Sequence, residues 1–86
     1  MNEINKAAIA AAIQAEIKVV KPSLVQDVEI TAHLVDDCGF ESLDMVELVA
    51  RIEARFRIPI DDQQYRLLSS IDGIADYILQ QQLAEA

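Results

Sequence analysis

The chain has few of the residues that build disulfides and metal sites: one cysteine and one histidine among 86 residues. One cysteine excludes an intramolecular disulfide, and a single Cys/His pair is too small a ligand set for zinc. No uninterrupted apolar run approaches about 18 residues, the length that marks a candidate transmembrane helix. The N-terminal segment also lacks a basic region followed by an apolar run. We therefore expect no signal peptide, and a soluble cytoplasmic protein.

Positive charge is scarce as well, because seven Lys and Arg residues face 15 Asp and Glu residues, for a net charge of −8. A surface this acidic repels nucleic-acid phosphates and anionic membranes, so we expect neither as a partner. A basic patch on another protein is the natural complement. We also expect a monomer, because copies of the chain repel each other. With 52% hydrophobic residues and only two glycines and two prolines, the chain predicts one globular domain over residues 1–86.

Hydrophobic periodicity predicts an all-α fold, a small four-helix bundle with three longer helices and one short one. The longer helices are expected over about residues 3–20, 42–56 and 69–79, and the short one over 61–68, with Ser69 or Ser70 as the last N-cap. Residues 80–86 are expected to form a frayed tail. The side chains expected to face the interior are Ile9, Ile13, Ile17 and Val20, then Met45, Val49, Ile52 and Phe56 flanked by Val46 and Leu48, and finally Ile71, Ile74 or Ala75, and Ile78.

Residues 22–39 form a long connection between the first two long helices and show no sustained periodicity. A connection of this length is unusual in a compact domain and is more often functional than idle. We predict an ordered loop that is held against the bundle by scattered apolar side chains. The anchors are Leu24, Val25, Val28, Ile30, Leu34 and Val35.

Ser42 stands at the predicted start of a helix and lacks the partners of a catalytic serine. A nucleophilic serine needs a general base and an oxyanion hole. The only histidine, His33, lies nine positions earlier, and the nucleophile elbow G-x-S-x-G is absent. Self-contained serine catalysis is therefore not predicted.

A calcium loop is also not predicted. Asp36 and Glu47 occupy the first and last positions of a twelve-residue EF-hand spacing. The third, fifth and sixth positions hold Cys38, Phe40 and Glu41, where oxygen ligands and a glycine are required. We expect Cys38 to be a small buried apolar side chain, because neighbouring acids raise a thiol pKa, and His33 to be a loop residue without a role.

Two interpretations of Ser42 remain open from the local pattern. Ser and Asp favour helix starts, and the run from Asp44 to Glu47 has the spacing of a capping box, so Ser42 would belong to a structural cap. Alternatively, Ser42 is an attachment point. An exposed hydroxyl at a helix N-terminus is a favourable place for a phosphate ester, because free amides and the helix dipole stabilise an anion.

The segment DDCGFESLDMVELVARIEARF (36–56) resembles the acyl carrier proteins, whose signature is Asp-Ser-Leu at the start of the second helix, followed by Asp-x-Val-Glu-Leu. The segment IPIDDQQYRLLSSIDGIADYI (58–78) is similar to the short third helix and the closing helix of that family. The resemblance covers nearly the whole chain. It is closer to the free-standing carriers of dissociated fatty acid or polyketide synthesis than to the peptidyl carrier domains of large synthetases.

This resemblance implies that Ser42 is not a catalyst and that the protein is not an enzyme. A separate phosphopantetheinyl transferase would join the 4'-phosphopantetheine of coenzyme A to Ser42, and the thiol of that arm would carry acyl intermediates as thioesters. The other partners would be acyl-loading and acyl-transfer or synthase enzymes of fatty acid, polyketide or a related specialised pathway. The apolar interior would partly enclose the acyl chain. The residues expected to dock on partners are Glu41, Leu43, Asp44, Met45, Glu47, Arg51 and Arg55.

Two departures from the family pattern precede Ser42. Glu41 stands where the family usually has Asp, which keeps the charge but lengthens the side chain. Cys38 stands where leucine is common. Glu41 leaves an alternative open, in which the chain is an unmodified helical adaptor that keeps the fold but not the arm.

A third departure is a stripe of charge on the second helix. Asp44, Glu47, Arg51 and Arg55 fall within about 80° of one another on a helical wheel. In the family this face is usually acidic along its length, whereas here its C-terminal end is basic. Either Glu47 and Arg51 form a stabilising i,i+4 pair without further role, or the arginines disfavour partners with extended basic patches. The second interpretation predicts a carrier for a dedicated pathway.

Overall fold

The computed structural model describes residues 5–24, 28–60 and 68–85, and within these ranges it contains three α-helices and no strand. The helices are α1 (Lys6–Val20), α2 (Ser42–Phe56) and α3 (Ile71–Glu85). The all-α prediction is confirmed. The predicted short helix over 61–68 lies almost entirely outside the described residues, so the total of four helices stays a prediction.

Both α1 and α3 begin directly after a residue whose side chain caps the helix. Asn5 has an extended backbone, and its side chain accepts a hydrogen bond from the Ala8 N–H at 2.8 Å, so α1 begins at Lys6 and not at residue 3 as predicted. Ser70 Oγ accepts from the Gly73 N–H at 3.1 Å, which identifies Ser70 as the cap of α3. This helix continues to Glu85, so the prediction that it ends at residue 79 before a frayed tail is wrong.

The core lies between the three helices, and α1 packs against both α2 and α3. The predicted inward faces are largely confirmed, because every core position expected from α1 and α3 except Val20 is buried. Val20 and Phe56 are partly buried against the core. Val46 is 51% exposed and does not belong to the core. The fully buried large side chains are Ile13, Ile17, Leu34, Leu48, Ile52, Leu68, Ile71, Ile74 and Ile78.

The described part of the connection between α1 and α2 is an ordered loop that is tied to the start of α3. The Leu34 N–H donates to the Ser69 carbonyl at 2.7 Å, and the Asp72 N–H donates to the Ile30 carbonyl at 2.8 Å. On the other side of the loop, Gln14 Nε2 donates to the Val28 carbonyl at 3.0 Å. The loop therefore has a defined position relative to α1 and α3, which brings it close to the first turn of α2.

Two of the predicted loop anchors are wrong. Ile30 and Val35 are 42% and 45% exposed, whereas Leu34 is fully buried and Leu24 and Val28 are partly buried. Val25 lies outside the described residues. Phe40, which was not predicted, is 2% exposed and closes the loop onto the core. Gly39 precedes it with φ +74°, a left-handed conformation that glycine adopts without strain.

The chain after α2 is held by polar contacts as well as by burial. Arg57 ends the helix in the left-handed conformation, and Ile58 and Ile60 are buried. The Ile60 N–H donates to Glu53 Oε2 at 2.8 Å, and the Tyr77 hydroxyl donates to the Pro59 carbonyl at 3.2 Å. None of the described helices combines the length and apolar character that crossing a bilayer requires.

Candidate functional site

The candidate site is the N-terminus of α2, where Ser42 is the first helical residue and is exposed. The cap of this helix is Glu41, whose backbone is extended and whose N–H donates to Asp44 Oδ2 at 3.0 Å. Glu41 and Asp44 therefore form the capping box. The predicted box from Asp44 to Glu47 and the predicted role of Ser42 in the cap are wrong, because the cap lies one residue earlier.

The carboxylate of Asp44 also connects the helix start to the end of α1. Lys21 Nζ lies 3.5 Å from Asp44 Oδ2. The hydrogen bond from the Glu41 backbone, followed by the charge of Lys21, holds the pKa of Asp44 below its usual value. Asp44 therefore stays ionised at neutral pH and fixes the first turn of α2 in the conformation that presents Ser42.

The hydroxyl of Ser42 is left without a structural task. It takes no part in the capping box, and among the described residues it makes no side-chain hydrogen bond. The first N–H groups of a helix lack intrahelical acceptors and favour an anion. A phosphate ester on this oxygen would lie next to those groups, so the site suits phosphate attachment. No described side chain forms a hydrogen bond with the hydroxyl through which it could act as a base.

A pocket of about 430 Å³ opens beside Ser42. Its walls come from the loop, the first turns of α2 and the residue before the α3 cap. The lining is mainly apolar with three polar side chains: Val35, Phe40, Met45 and Val46, together with His33, Ser42 and Ser69. Val35 and Val46, whose exposure departs from the sequence prediction, are thus pocket walls. A group attached at Ser42 could place an apolar chain in this space.

His33 is a pocket residue that the sequence did not reveal. Its backbone N–H donates to Asp37 Oδ2 at 2.8 Å, and its ring Nδ1 accepts from the Asp36 backbone N–H at 3.1 Å. An imidazole that accepts through Nδ1 carries its proton on Nε2 when neutral. The sequence gave no signal that His33 lies near Ser42, because only the folded loop brings the two residues to the same pocket.

Cys38 agrees with its predicted structural role. The side chain is partly buried and packs against the core. Burial, followed by the negative charge of Asp37, raises the pKa of the Cys38 thiol. The thiol is therefore protonated at neutral pH and is a poor nucleophile. Among the residues that the structure describes, no group of three or more His, Cys, Asp or Glu side chains could hold a metal ion.

The basic end of the α2 stripe has an unpredicted partner on α1. Glu16 accepts from Arg51 Nε through Oε1 and from Arg55 through Oε2, both at 2.7 Å. The predicted pair between Glu47 and Arg51 is wrong, since Arg51 is bonded to Glu16 and Glu47 is exposed without a side-chain partner in the described part of the chain. Of the other expected docking residues, Leu43 is 79% exposed and Met45 is buried in the core.

Comparison with known proteins identifies the family of this chain. The family model described as a phosphopantetheine attachment site matches residues 7–78. The chain is 45% identical over 51 residues to the mitochondrial acyl carrier protein of Neurospora crassa, covering 59% of this chain and 38% of the relative. It is 38% identical over 53 residues to the acyl carrier protein of Campylobacter concisus, covering 62% and 69%. For the acyl carrier protein of Thermotoga maritima the values are 40% over 47 residues, covering 55% and 58%.

The fold and the matched attachment-site model define a small helical carrier with a covalent 4'-phosphopantetheine cofactor. The chain belongs to the acyl carrier protein family. Members of this family are carriers and not enzymes. The aligned segments span less than two thirds of the Neurospora and Thermotoga relatives.

Proposed function

We propose that Ser42 is the residue that receives 4'-phosphopantetheine and that the protein presents acyl groups to enzymes of fatty acid, polyketide or a related specialised acyl pathway. The observation that carries the proposal is the exposed Ser42 hydroxyl, which the capping box leaves free beside an apolar pocket. The attachment-site match includes this position.

The residues around Ser42 account for what the chain itself contributes. The first amides of α2 stabilise the phosphodiester, and the pocket accepts an apolar chain. The arm supplies a terminal thiol that binds acyl groups as thioesters. Because no described side chain forms a hydrogen bond with the Ser42 hydroxyl, a phosphopantetheinyl transferase supplies the activation of that hydroxyl.

The partners proposed for this carrier are the transferase and the enzymes that load, extend or remove the acyl group. They would contact the helix around Ser42 through a set of charged and apolar side chains. Met45 acts from within the core, where it shapes the pocket. The set is Glu41, Leu43, Asp44, Met45, Glu47, Arg51 and Arg55. Nucleic acid and membrane are not proposed as partners, and the strong negative charge supports a monomer. A cytoplasmic location stays a prediction.

The adaptor alternative rested on Glu41, and the structure gives that residue another explanation. Glu41 is the α2 cap, where its backbone N–H donates to Asp44 and its side-chain carboxylate takes part in the capping box with the backbone of Asp44. A Glu at this position is therefore compatible with the geometry that frees Ser42. No observation favours the adaptor over the carrier.

The test is the intact mass of the purified chain after incubation with coenzyme A, Mg²⁺ and a broad-specificity phosphopantetheinyl transferase. We expect one phosphopantetheine on the parent and none on Ser42→Ala. Ser69→Ala is the matched control, because it removes a second hydroxyl from the same pocket and should leave the modification intact. A folded parent that gains no mass with several transferases would overturn the proposal and favour the adaptor.

A further inference from the structure

The arrangement of Glu16, Arg51 and Arg55 leaves most of the arginine donors unused. Each guanidinium has five N–H donors. Glu16 takes one from Arg51 Nε and one from a terminal nitrogen of Arg55. The two arginine side chains are 41% and 45% exposed, whereas the Glu16 side chain is only 12% exposed. The Glu16 side chain is thus largely covered, whereas both arginine side chains are exposed and carry donors that Glu16 does not use.

The charge balance of this group is positive in a strongly negative protein. The hydrogen bond from Arg55, then that from Arg51, holds the pKa of Glu16 below its usual value, so its carboxylate is ionised at neutral pH. Two positive charges and one negative charge lie side by side, on a chain whose net charge is −8. An open surface pocket of about 320 Å³ is lined by Glu16, Arg51, Ala54 and Arg55. An acidic group could therefore approach the protein at this point, whereas the rest of the negatively charged surface would repel it.

The arginine pair lies at a defined distance from the candidate attachment site. At 1.5 Å per residue, Arg51 and Arg55 are about 14 and 20 Å along the α2 axis from Ser42. A standard protein contact buries about 800 Å² on each partner, enough to reach both the helix start and the arginines. Glu47, between them, carries an exposed negative charge. A partner that covers this face of α2 therefore meets negative charge near Ser42 and positive charge farther along.

We propose that Arg51 and Arg55, held in place by Glu16, form a docking site for a carboxylate on the partner enzymes of this carrier. The proposal rests on the proposed function, since it assumes that partners approach α2 to reach Ser42. The fitting partner has a basic side chain near its active-site entrance and an Asp or Glu about 14–20 Å away. A guanidinium binds a carboxylate through two parallel N–H bonds, and Glu16 reduces the cost of ordering both arginine side chains.

A purely structural role for these residues explains less of the geometry. One ion pair between α1 and α2 would join the helices as well as two, and exposed pairs contribute at most about 1 kcal/mol to stability. The structural role also predicts that removing the arginines changes unfolding but not partner choice. The two interpretations therefore separate in a binding experiment.

The experiment uses a ketoacyl synthase that binds acyl carrier proteins through a basic patch. Each Lys or Arg of that patch is replaced by Glu in turn, and the dissociation constant for the apo carrier is measured by NMR titration. We expect one replacement to tighten binding of the parent by about tenfold, as close charge pairs at interfaces do. The gain should be absent for the Arg51→Gln/Arg55→Gln variant. It should persist for Arg57→Gln, which removes an exposed arginine outside the group.

Absence of any tighter-binding replacement, or an equal gain in the Arg51→Gln/Arg55→Gln variant, would overturn the proposal. A Glu16→Ala variant tests the positioning step, because it adds net positive charge while releasing both arginines. If long-range attraction alone caused the tighter binding of the Glu-substituted synthase, Glu16→Ala would increase that gain. If Glu16 positions the arginines, as proposed, Glu16→Ala decreases it. Since binding is measured on the apo protein, the result is separate from whether Ser42 accepts the arm. Melting curves identify any variant that fails to fold.

Discussion

The backbone N–H of Glu41 donates to the carboxylate of Asp44 across the first turn of α2, at 3.0 Å. The cap of α2 is therefore formed by Glu41, which precedes Ser42, and by Asp44, which follows it. The serine between them is exposed and has no capping task. A small acidic chain thereby presents a hydroxyl at a helix N-terminus, and the family match gives that hydroxyl its proposed modification.

Replacement of Asp44 tests the capping box. We expect Asp44→Ala to lower the melting temperature by a few degrees, because the Glu41 N–H loses its acceptor and the helix start loses a negative charge. The rate of modification by the transferase should fall as well, since the first turn of α2 becomes less ordered. Asp44→Asn is the control, because it keeps an acceptor oxygen and should retain most of the stability. Equal melting temperatures for the alanine variant and the parent would contradict this role.

The pH dependence of stability should report on Glu16. A carboxyl whose pKa is lowered by folding stabilises the folded state at pH values above its pKa in the unfolded chain. This contribution is lost as the pH falls through its pKa in the folded protein. For Glu16 the usual value is 4.5 and the folded value is lower. Glu16→Gln should therefore cost up to about 1 kcal/mol in urea unfolding at pH 7, and the difference should shrink as the pH falls below 4.5. Glu47→Gln is the control, because it removes an exposed carboxylate without a described partner and should change the stability at pH 7 little.

Filling the pocket beside Ser42 should prevent burial of the acyl chain without preventing attachment of the arm. We expect Val46→Trp to accept the arm, because Val46 is half-exposed and its replacement leaves the capping box intact. An octanoyl group should raise the melting temperature of the parent above that of the acetyl form, through burial of apolar surface. This difference should vanish in Val46→Trp. It should remain in Leu43→Trp, which adds the same side chain at an exposed position that does not line the pocket.

The thiol of Cys38 should react slowly in the apo protein. Because burial and Asp37 raise its pKa, the thiolate fraction at pH 8 is below that of an unperturbed cysteine. A disulfide reagent that releases a coloured thiolate should label the folded apo chain more slowly than the same chain in urea, with a rate that rises with pH. Equal rates in both states would show that Cys38 is neither shielded nor perturbed.

The junction of α2 with the core should depend on Ile52. This side chain is fully buried, so Ile52→Ala should reduce the free energy of unfolding by about 2–5 kcal/mol through lost transfer energy and a residual cavity. Ile52→Val should cost about 0.5–1.5 kcal/mol. Urea unfolding at neutral pH measures both. Val19→Ala, at an exposed position of α1, is the control and should change little.

Local sequence patterns predicted the helices because their causes are local. The spacing of Ile9, Ile13 and Ile17 places one face of α1 inward, α1 ends at the predicted Val20, and α2 has its predicted bounds. The same reasoning failed at the last helix, where polar residues after Leu79 gave no reason to continue. It also failed at the α2 cap, because Ser42 and Glu41 can both begin a helix and only the backbone geometry distinguishes them.

The sequence by itself determined the helical class, the inward faces and the acidic character, and the string around Ser42 identified the family. These follow from periodicity, composition and a short motif. Tertiary structure decided the partners of Arg51, the position of His33 beside Ser42 and the exposure of Ile30 and Val35. Glu16 and Arg51 are 35 residues apart, and no local pattern specifies contacts between distant segments. Such contacts arise only when α1 and α2 pack around a shared core, which fixes which polar side chains meet at its edge.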